Sequence, residues 1–415
     1  MTSISNRTLN LGTETAFIVL AEVNKRIRQG KKIISFCIGQ PDFDTPGNIK
    51  KAAIKAIKEG KTGYTDAPGI MKVREAIAKY FSETRKIKVE PEDCVMANGA
   101  KPFIGYTVLA VTDYGKKEEV IYPLPGYPIY ESVAIANGAK AVPLPLIEEK
   151  NFSFDIEDLK KIVNKNTKLL ILNSPHNPTG GILSEDDLKA IKDLSQDYDF
   201  WIYSDEIYCK LVYDGEFKSI ASLPDMYERT IISDGCSKTY AMTGWRIGFV
   251  ANKKLAPYFS QWMVNTDSCP VHFNQYATIE ALTGPQDKAN EMYNSFKERR
   301  NLIVRLLNDI EGVKCLSPGG AFYVFPNVTE ACKKLNLKNA EELRKLLLDK
   351  GVAVLADIHF GKKSKNEKNE YLRLSYATSK ENIKKGVEII KNVVEGWKCQ
   401  LLTKKEKKKG ILLKN

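Results

Sequence analysis

Short apolar runs alternate with amphipathic stretches through the middle of this chain. The apolar runs are rich in β-branched residues and predict strands at 94–97, 119–122, 141–144, 168–173, 200–204, 230–233 and 247–251. Apolar positions at helical spacing predict helices between them, among others at 70–81, 185–194 and 255–263. Continuous apolar strands separated by helices indicate a mostly parallel sheet, here of seven strands, with helices on both faces.

The two ends of the chain have a different pattern. Helices are predicted at 13–29, 290–309, 340–348 and 380–394, with strands at 322–325, 352–355 and 371–375. We therefore predict an α/β protein with a large domain at residues 46–289. A smaller α+β domain would comprise residues 1–45 and 290–397, and a basic tail would follow at residues 398–415.

Composition is that of an ordinary globular protein, with 415 residues, 43% hydrophobic and 27% charged. The longest apolar runs are shorter than a membrane span, and the first residues lack the apolar segment of a signal peptide. The eight cysteines have no CxxC spacing and there are only three histidines, so we expect reduced thiols, a cytoplasmic location and no metal site.

The net charge of +12 raises the question of a nucleic-acid partner. Residues 398–415 carry seven lysines and one glutamate, and so account for +6 of it. Elsewhere lysines are interspersed with acidic residues, and no basic stripe contains interleaved aromatics. We interpret the tail as a solvated charge run and expect neither a nucleic-acid nor a membrane partner.

Polar groups follow four of the predicted strands, at the edge where open α/β sheets bind ligands. In chain order these are the turn Gly99–Ala100–Lys101, the amide of Asn177, the carboxylate and phenol of Asp205 and Tyr208, and the amine of Lys238, with Arg246 close behind. Each has an ordinary alternative, since Asn177 fits a tight turn, Asp205 a helix cap and Lys238 a solvated loop. Together they match one cofactor, pyridoxal 5′-phosphate, for which a lysine forms the Schiff base and a carboxylate keeps the pyridine nitrogen protonated.

The chain also resembles the class I aminotransferases of the type I pyridoxal-phosphate fold, in the prokaryotic-type aspartate and aromatic branch, from about residue 12 to 397. The resemblance rests on many ordered segments: "IGQPDFDTP", "GYTDAPGIMKVREAIA", "NGAK", "LPGYPIY", "NSPHNPTG", "YSDEIY", "SKTYAMTGWRIGF", "PGGAFYVF" and "YLRLSYATS". It implies a homodimer whose active sites are shared between subunits.

The resemblance assigns a role to each candidate residue. Lys238 would bind the cofactor aldehyde, Asp205 would pair with the pyridine nitrogen, and Tyr208 and Asn177 would bond the ring hydroxyl oxygen. Tyr127 would stack on the ring, while Arg246 and the N–H groups of Gly99, Ala100 and Lys101 would bind the phosphate. Tyr64 would reach the phosphate of the neighbouring subunit. Arg373 would bind the substrate α-carboxylate as a two-pronged pair, helped by the N–H of Gly39 and by Asn177.

The implied reaction is a ping-pong exchange of an amino group between an L-amino acid and a 2-oxo acid such as 2-oxoglutarate. Lys238 would act as the general base that moves the proton. We expect aspartate as donor, with Lys101 binding its distal carboxylate, although a solvated Lys101 and an aromatic or alanine-type specificity stay open. A lyase or synthase of the same fold would share Lys238 and Asp205. A regulator with a fused DNA-binding domain is disfavoured because only about a dozen residues precede the first matching segment.

Three positions depart from what the resemblance implies. Gly235 stands where some relatives have a phosphate-binding serine, so that one contact would be missing or come from Ser237. Cys236 has no evident catalytic role and suits a small core position. His359 either lines the substrate pocket or is packed in the interior, and the sequence favours neither strongly.

Overall fold

We describe the protein from a computed structural model, in which residues 2–9, 11–363 and 367–396 are described. The basic tail predicted at 398–415 lies outside these residues. Helices, in chain order, are α1 (Asn6–Leu9), α2 (Ala16–Arg28), α3 (Gly47–Lys58), α4 (Met71–Arg85), α5 (Lys101–Val111), α6 (Ile129–Ala136), α7 (Ile156–Ile162), α8 (Glu185–Asp197), α9 (Cys236–Thr239), α10 (Ala256–Thr266), α11 (His272–Thr283), α12 (Asp287–Asn308), α13 (Thr329–Lys334), α14 (Ala340–Asp349) and α15 (Lys380–Glu395).

Strands, in chain order, are β1 (Ile34–Ser35), β2 (Cys94–Ala97), β3 (Glu119–Leu124), β4 (Lys140–Ile147), β5 (Ser153–Phe154), β6 (Thr167–Asn173), β7 (Trp201–Asp205), β8 (Thr230–Gly235), β9 (Gly248–Ala251), β10 (Tyr323–Val324), β11 (Val352–Ala353), β12 (Leu355–Ala356) and β13 (Leu372–Ser375). Every strand and helix predicted above has a counterpart within a few residues of its predicted limits. Among the described residues, no helix has both the length and the apolar character required to cross a membrane.

The chain forms two compact units, which are described separately. The larger unit comprises the described residues up to Thr13, Gln40–Ser295 and Gly319–Ala321. The smaller unit comprises Glu14–Gly39, Phe296–Pro318 and the described residues from Phe322 onward. The domain limits at residues 46–289 stay a prediction.

A mixed sheet forms the centre of the larger unit, with strand order β2-β9-β8-β7-β6-β3-β4-β5. Strands β4, β3, β6, β7 and β8 run parallel, whereas β9 is antiparallel to both β8 and β2. Within the described residues the sheet has eight strands rather than the seven predicted. The eighth is β5, a two-residue strand that pairs antiparallel with β4 and is too short to produce a periodic pattern.

Helices cover both faces of this sheet, and for that reason its strands are apolar at successive positions. One face packs Val120, Ile171 and Tyr203 with residues of α5, α6 and α10. The other face packs Ile121 and Leu170 against α7 and α8, and its far end packs against α3, α4 and α11. Side chains alternate between the two faces, and both faces are covered by helices. Polar groups that avoid burial are therefore concentrated at the strand ends.

The smaller unit is built from short strands and helices. Strand β13 lies between β10 and β12, antiparallel to both, and β1 pairs with β11 in parallel. Helix α15 has a strongly amphipathic sequence and buries Ile383, Val387 and Ile390. This agrees with the α+β character expected from the pattern at the two chain ends.

Candidate active site

The carboxyl ends of three parallel strands meet at one edge of the sheet. Asn173 at the end of β6 lies opposite Asp205 at the end of β7, and Asp205 lies opposite Ser233 near the end of β8. Asp205 is one of these positions, and Asn177 and Lys238 come shortly after the ends of β6 and β8. The register therefore brings the Asn177 turn, Asp205 and the Lys238 turn to the same edge.

Asp205 has a restricted environment because the surrounding side chains are deeply buried. Its Oδ2 accepts a hydrogen bond of 2.7 Å from the Tyr130 hydroxyl, and Tyr130 is only 1% exposed. Its Oδ1 accepts a weaker bond of 3.3 Å from the Ile207 N–H. Burial raises the pKa of this carboxyl group from 3.8 to about 6, although the hydrogen bonds from Tyr130 and Ile207 oppose the shift.

The turn that carries Asn177 is anchored by a second asparagine. Asn173 accepts a hydrogen bond of 2.9 Å from the Asn177 N–H, and its own amide donates at 3.1 Å to the carbonyl of Asp205. Asn173 is 6% exposed. One buried side chain thus ties the Asn177 turn to the strand that presents Asp205.

Lys238 and Tyr208 lie close together in the larger unit. The Lys238 Nζ is 5.8 Å from the centroid of the Tyr208 ring, and Tyr208 is buried. Lys238 is partly buried in the short helix α9, directly after the end of β8. This places a lysine amine beside a phenol at the edge where Asp205 lies.

Gly235, which precedes α9, explains one departure from the resemblance. A Cβ at this position would lie 2.6 Å from the carbonyl oxygen of Ile247. A serine therefore does not fit without a shift of the backbone. Ser237 remains the nearby hydroxyl, and Cys236 is completely buried, as expected for a core position.

The start of α5 forms a second cluster that is built from backbone. Gly99 has φ +103, and a Cβ there would collide with the Arg246 guanidinium. Gly248 is equally constrained, because its Cβ would collide with the backbone of Ala100. The two glycines allow Arg246 and the first N–H groups of α5 to lie together, an arrangement suited to an anion.

Arg246 is exposed and adopts a left-handed backbone conformation with φ 57. Its Nη1 donates to the Thr243 carbonyl at 2.9 Å. Lys101 is also exposed, and its Nζ lies 5.5 Å from the centroid of the Tyr127 ring. Tyr127 packs edge-on against Tyr130, with centroids 5.5 Å apart, and so connects this cluster to Asp205.

Two predicted residues belong to the smaller unit. Arg373 on β13 is 4% exposed; its guanidinium donates to the Cys37 carbonyl and lies 4.7 Å from the centroid of the Tyr323 ring. Gly39 is fixed by contact, since a Cβ there would collide with the Tyr323 hydroxyl. The role of both residues in binding a carboxylate stays a prediction.

His359 lies in the interior of the smaller unit, with 11% of its side chain exposed. Its Nδ1 is 2.7 Å from the Thr15 hydroxyl, and its Nε2 is 3.4 Å from a carboxylate oxygen of Glu341. Burial lowers the pKa of the imidazole, and Glu341 partly opposes this. These contacts favour the packed alternative over a role in the substrate pocket.

Tyr64 is 89% exposed in the larger unit, so its side chain is accessible from outside this chain. Its predicted contact with a neighbouring subunit stays a prediction. Among the residues that the structure describes, no group of three or more His, Cys, Asp or Glu side chains is arranged to hold a metal ion.

Two residues at this edge were not predicted. Tyr130 lies within the quoted segment "LPGYPIY", but at its position in α6 it reads as part of an apolar helix face. Asn173 is the last residue of a strand that otherwise consists of a threonine, a lysine and four apolar residues. A polar residue at the end of an apolar strand is the signal that indicates Asp205, and the same signal indicates Asn173.

Comparison with known proteins agrees with this arrangement. Residues 31–390 match the sequence model of the class I and II aminotransferases. The chain is 35% identical to an aspartate aminotransferase of Bacillus subtilis over 396 residues, covering 94% of this chain and 99% of the relative. It is 37% identical to an aromatic-amino-acid aminotransferase of Thermococcus litoralis over 369 residues, covering 88% and 92%.

Among solved structures, an aspartate aminotransferase from Thermus thermophilus with maleate superimposes with a TM-score of 0.88 at 32% identity, covering 95% of this chain and 100% of that one. An α/β fold that presents a lysine, a carboxylate and an anion cluster at one sheet edge is that of the type I aminotransferases. The chain belongs to the class I and II aminotransferases and is an aminotransferase.

Proposed function

We propose that this aminotransferase uses pyridoxal 5′-phosphate to exchange an amino group between L-aspartate and a 2-oxo acid such as 2-oxoglutarate. The observation that carries the proposal is the shared edge of β6, β7 and β8. There the Asn177 turn, Asp205, Tyr208 and Lys238 lie in one unit that also contains the anion cluster of Gly99 and Arg246.

The residues present fit this cofactor on two observations. The Gly99 and Gly248 positions admit no Cβ and bring Arg246 and the N-terminus of α5 together, as a phosphate group requires. The Asp205 carboxyl is half-buried, and no cationic partner is among the main groups that shift its pKa. A protonated pyridine nitrogen would supply that partner, and would offset the cost of burying the charge.

In this proposal Arg246 and the first N–H groups of α5 bind the phosphate, Tyr127 stacks on the ring, and Tyr208 and Asn177 bond the ring hydroxyl. Bound pyridoxal phosphate supplies an electron sink for the α-carbon of the substrate. The Lys238 amine would accept the proton from the α-carbon of the substrate and donate it to the carbonyl carbon of the cofactor. It would carry out the reverse transfer in the second half of the exchange. Asp205 would stay ionised and hold a proton on the pyridine nitrogen. Because the amino group is transferred in two successive half-reactions, we expect ping-pong kinetics.

We propose that Arg373 binds the α-carboxylate that all amino-acid substrates share, with the N–H of Gly39. A planar guanidinium forms two parallel hydrogen bonds with a carboxylate, which a lysine cannot do. We also propose a homodimer in the cytoplasm, in which exposed Tyr64 reaches the phosphate of the second subunit.

A visible spectrum of the purified protein tests the cofactor assignment. The wild type should show a visible absorbance band with pyridoxal phosphate, and Lys238→Ala should lose both this band and the transamination of aspartate. A protein that gains no band with added pyridoxal phosphate would contradict the proposal. The wild type could instead show a normal band but no transamination of any amino donor, and could remove a β or γ substituent from an amino-acid substrate. That result would favour the lyase or synthase.

Lys101 carries the proposal for aspartate, because its exposed amine stands at the start of α5 beside Tyr127. A cation at a helix N-terminus is disfavoured by the helix dipole, which suggests that an anionic substrate group compensates. Lys101→Ala should reduce kcat/KM for aspartate about tenfold and leave phenylalanine nearly unaffected. An equal loss for both donors, or none, would exclude this role and favour the aromatic or alanine-type specificity.

A further inference from the structure

A buried charge cluster lies behind the two turns that carry Asp205 and Lys238. We use the term for Arg85, Glu206 and Asp234. Arg85 is the last residue of α4, and its side chain is fully buried, as are those of both acids. Its Nε donates to Glu206 at 2.8 Å and its Nη2 donates to Asp234 at 2.8 Å, so that one guanidinium binds two carboxylates.

The remaining polar atoms of the cluster are also satisfied. Glu206 accepts hydrogen bonds from the hydroxyls of Ser204 and Ser219. Asp234 accepts from the Tyr80 hydroxyl at 2.8 Å and from the Gly235 N–H at 2.7 Å. Such a fully bonded network holds its members in one geometry, whereas a partly bonded one would be costly to bury.

The position of the two acids connects the cluster to the site. Glu206 directly follows Asp205 at the end of β7, and its N–H donates to the carbonyl of Ser233 on β8. Asp234 lies four residues before Lys238. Arg85 therefore links the turn that presents the carboxylate with the turn that presents the amine, although it touches neither group.

The charge of the cluster reaches Asp205 as well. One cation stands against two carboxylates, and both Asp234 and Glu206 raise the pKa of Asp205. The rings of Tyr80, Phe81 and Phe217 lie 5.1 to 5.5 Å from the guanidinium carbon. Charges surrounded by aromatic rings are poorly screened, so a change of one charge in this cluster should change the pKa of Asp205.

We propose that Arg85 is a positioning residue for the cofactor site: by binding Glu206 and Asp234 together, it fixes the spacing of the Asp205 and Lys238 turns and offsets their negative charge. The inference rests on the proposed use of pyridoxal phosphate. A cluster that serves stability alone would give the same contacts, but it would not couple the sign of a charge change to the cofactor.

The readout is the pH midpoint of the visible band of bound pyridoxal phosphate, which reports protonation at the Lys238 nitrogen. An ionised Asp205 keeps the pyridine nitrogen positive, and this positive charge lowers that midpoint. Arg85→Met leaves two carboxylates less compensated and should raise the midpoint by about one pH unit. Asp234→Asn and Glu206→Gln each remove a negative charge and should lower it.

Titratable neighbours must be considered in reading this experiment. Those of the cluster and of Asp205 are Tyr80 on α4, Tyr130 on α6, Tyr203 on β7, Cys209 after β7, and Cys236 and Tyr240 after β8. Burial raises the pKa of all six phenol and thiol groups. These six groups remain neutral over the pH range of the titration. The charge differences between variants therefore come from the substituted residues.

Two further variants separate the proposal from a structural role. The double variant Arg85→Met/Asp234→Asn restores the charge balance and should return the midpoint toward that of the wild type. Arg85→Lys keeps the charge and should shift the midpoint less than Arg85→Met. Arg229→Met is the matched control, since Arg229 precedes the opposite end of β8, where it donates to the Ser195 carbonyl, and should leave the midpoint unchanged.

Opposite shifts for the loss of the cation and the loss of an acid support the proposal. Shifts in the same direction, or equal shifts in Arg229→Met, would overturn it. If Arg85→Met does not fold, Asp234→Asn and Glu206→Gln decide, and an upward or absent shift in both refutes the inference. A wild type without any visible band would instead overturn the proposed function.

Discussion

The two ends of the candidate site are built in different ways. At the Asp205 end the groups are side chains in the interior, with Tyr130 1%, Tyr208 3% and Asn173 6% exposed. At the Arg246 end the side chains of Arg246 and Lys101 are exposed, and the contacts depend on backbone at Gly99 and Gly248. One end is arranged by burial and the other by close approach of the main chain.

This difference suggests a division of work. Burial changes the protonation of a group, and at Asp205 it raises the pKa to about 6. Backbone N–H groups and an exposed guanidinium have fixed charges, which suit the binding of a solvated anion. We therefore expect changes at the Asp205 end to affect catalysis and its pH dependence, and changes at the Arg246 end to affect cofactor affinity.

The largest expected effect is that of Asp205→Asn. An amide cannot hold a proton on the pyridine nitrogen, so kcat should fall by about a thousandfold while the cofactor remains bound. Steady-state kinetics and the visible spectrum check this together. Asp187→Asn is the matched control, because Asp187 is a buried carboxylate that caps α8, and this variant should lose stability but keep kcat.

A weak kcat effect in Asp205→Asn, combined with a loss of cofactor, would break the comparison. It would mean that Asp205 serves mainly to bind the cofactor, as Arg246 is proposed to do. The chemical role of the buried end would then have to lie elsewhere.

Gly99→Ala should show the second largest effect, on cofactor affinity. The new methyl group meets the Arg246 guanidinium and the backbone has φ +103, so the dissociation constant of pyridoxal phosphate should rise about 10- to 100-fold. At saturating cofactor, kcat should stay near that of the wild type. Fluorescence or absorbance titration of the cofactor-free protein measures the affinity.

Gly115→Ala provides the control for Gly99→Ala. Gly115 has φ +83 but open space where the Cβ would lie, so it carries the backbone strain without a collision. Its affinity for the cofactor should be unchanged. A similar loss in both variants would assign the effect to general destabilisation rather than to the anion cluster.

Tyr130→Phe should have a smaller effect, confined to low pH. The Tyr130 hydroxyl donates to Asp205 and lowers the pKa of that carboxyl group, so its removal raises the pKa further. The acid limb of kcat/KM should move upward by about one pH unit, with activity near pH 8 largely retained. A uniform loss at every pH would contradict the proposed role; Tyr106→Phe, which loses a hydroxyl contact to Thr266, should leave the limb in place.

The sequence predicted much of this site because its groups follow apolar strands. Asp205 is the last residue of a strand, and Asn177 and Lys238 come shortly after strand ends; the parallel order of the strands brings such ends together. Two-residue β5 was not predictable, since two residues carry no period. The residues beyond the strand ends depended on the resemblance more than on the pattern.

The sequence could not identify the residues behind the site. Arg85 ends α4, where a basic residue in the last turn is typical of a solvated helix end. Its burial depends on two acids that lie 121 and 149 positions further along the chain. Tyr130 has the same difficulty, because its partner Asp205 is 75 positions away. Such pairings are products of the tertiary fold and leave no local signature.

The smallest expected effect concerns the cofactor-free protein and its stability. The folded-state pKa of Asp205 is about 6, above its ordinary value of 3.8, so the folded state binds more protons between these values. The free energy of unfolding should therefore fall as the pH rises, by about 1 kcal/mol between pH 5 and pH 7.5, relative to Asp205→Asn. Denaturant unfolding of both cofactor-free proteins at the two pH values measures this difference. A difference that is independent of pH would show that the Asp205 carboxyl is already ionised and solvated, and the contrast between a buried and an exposed end would fail at the residue on which it depends most.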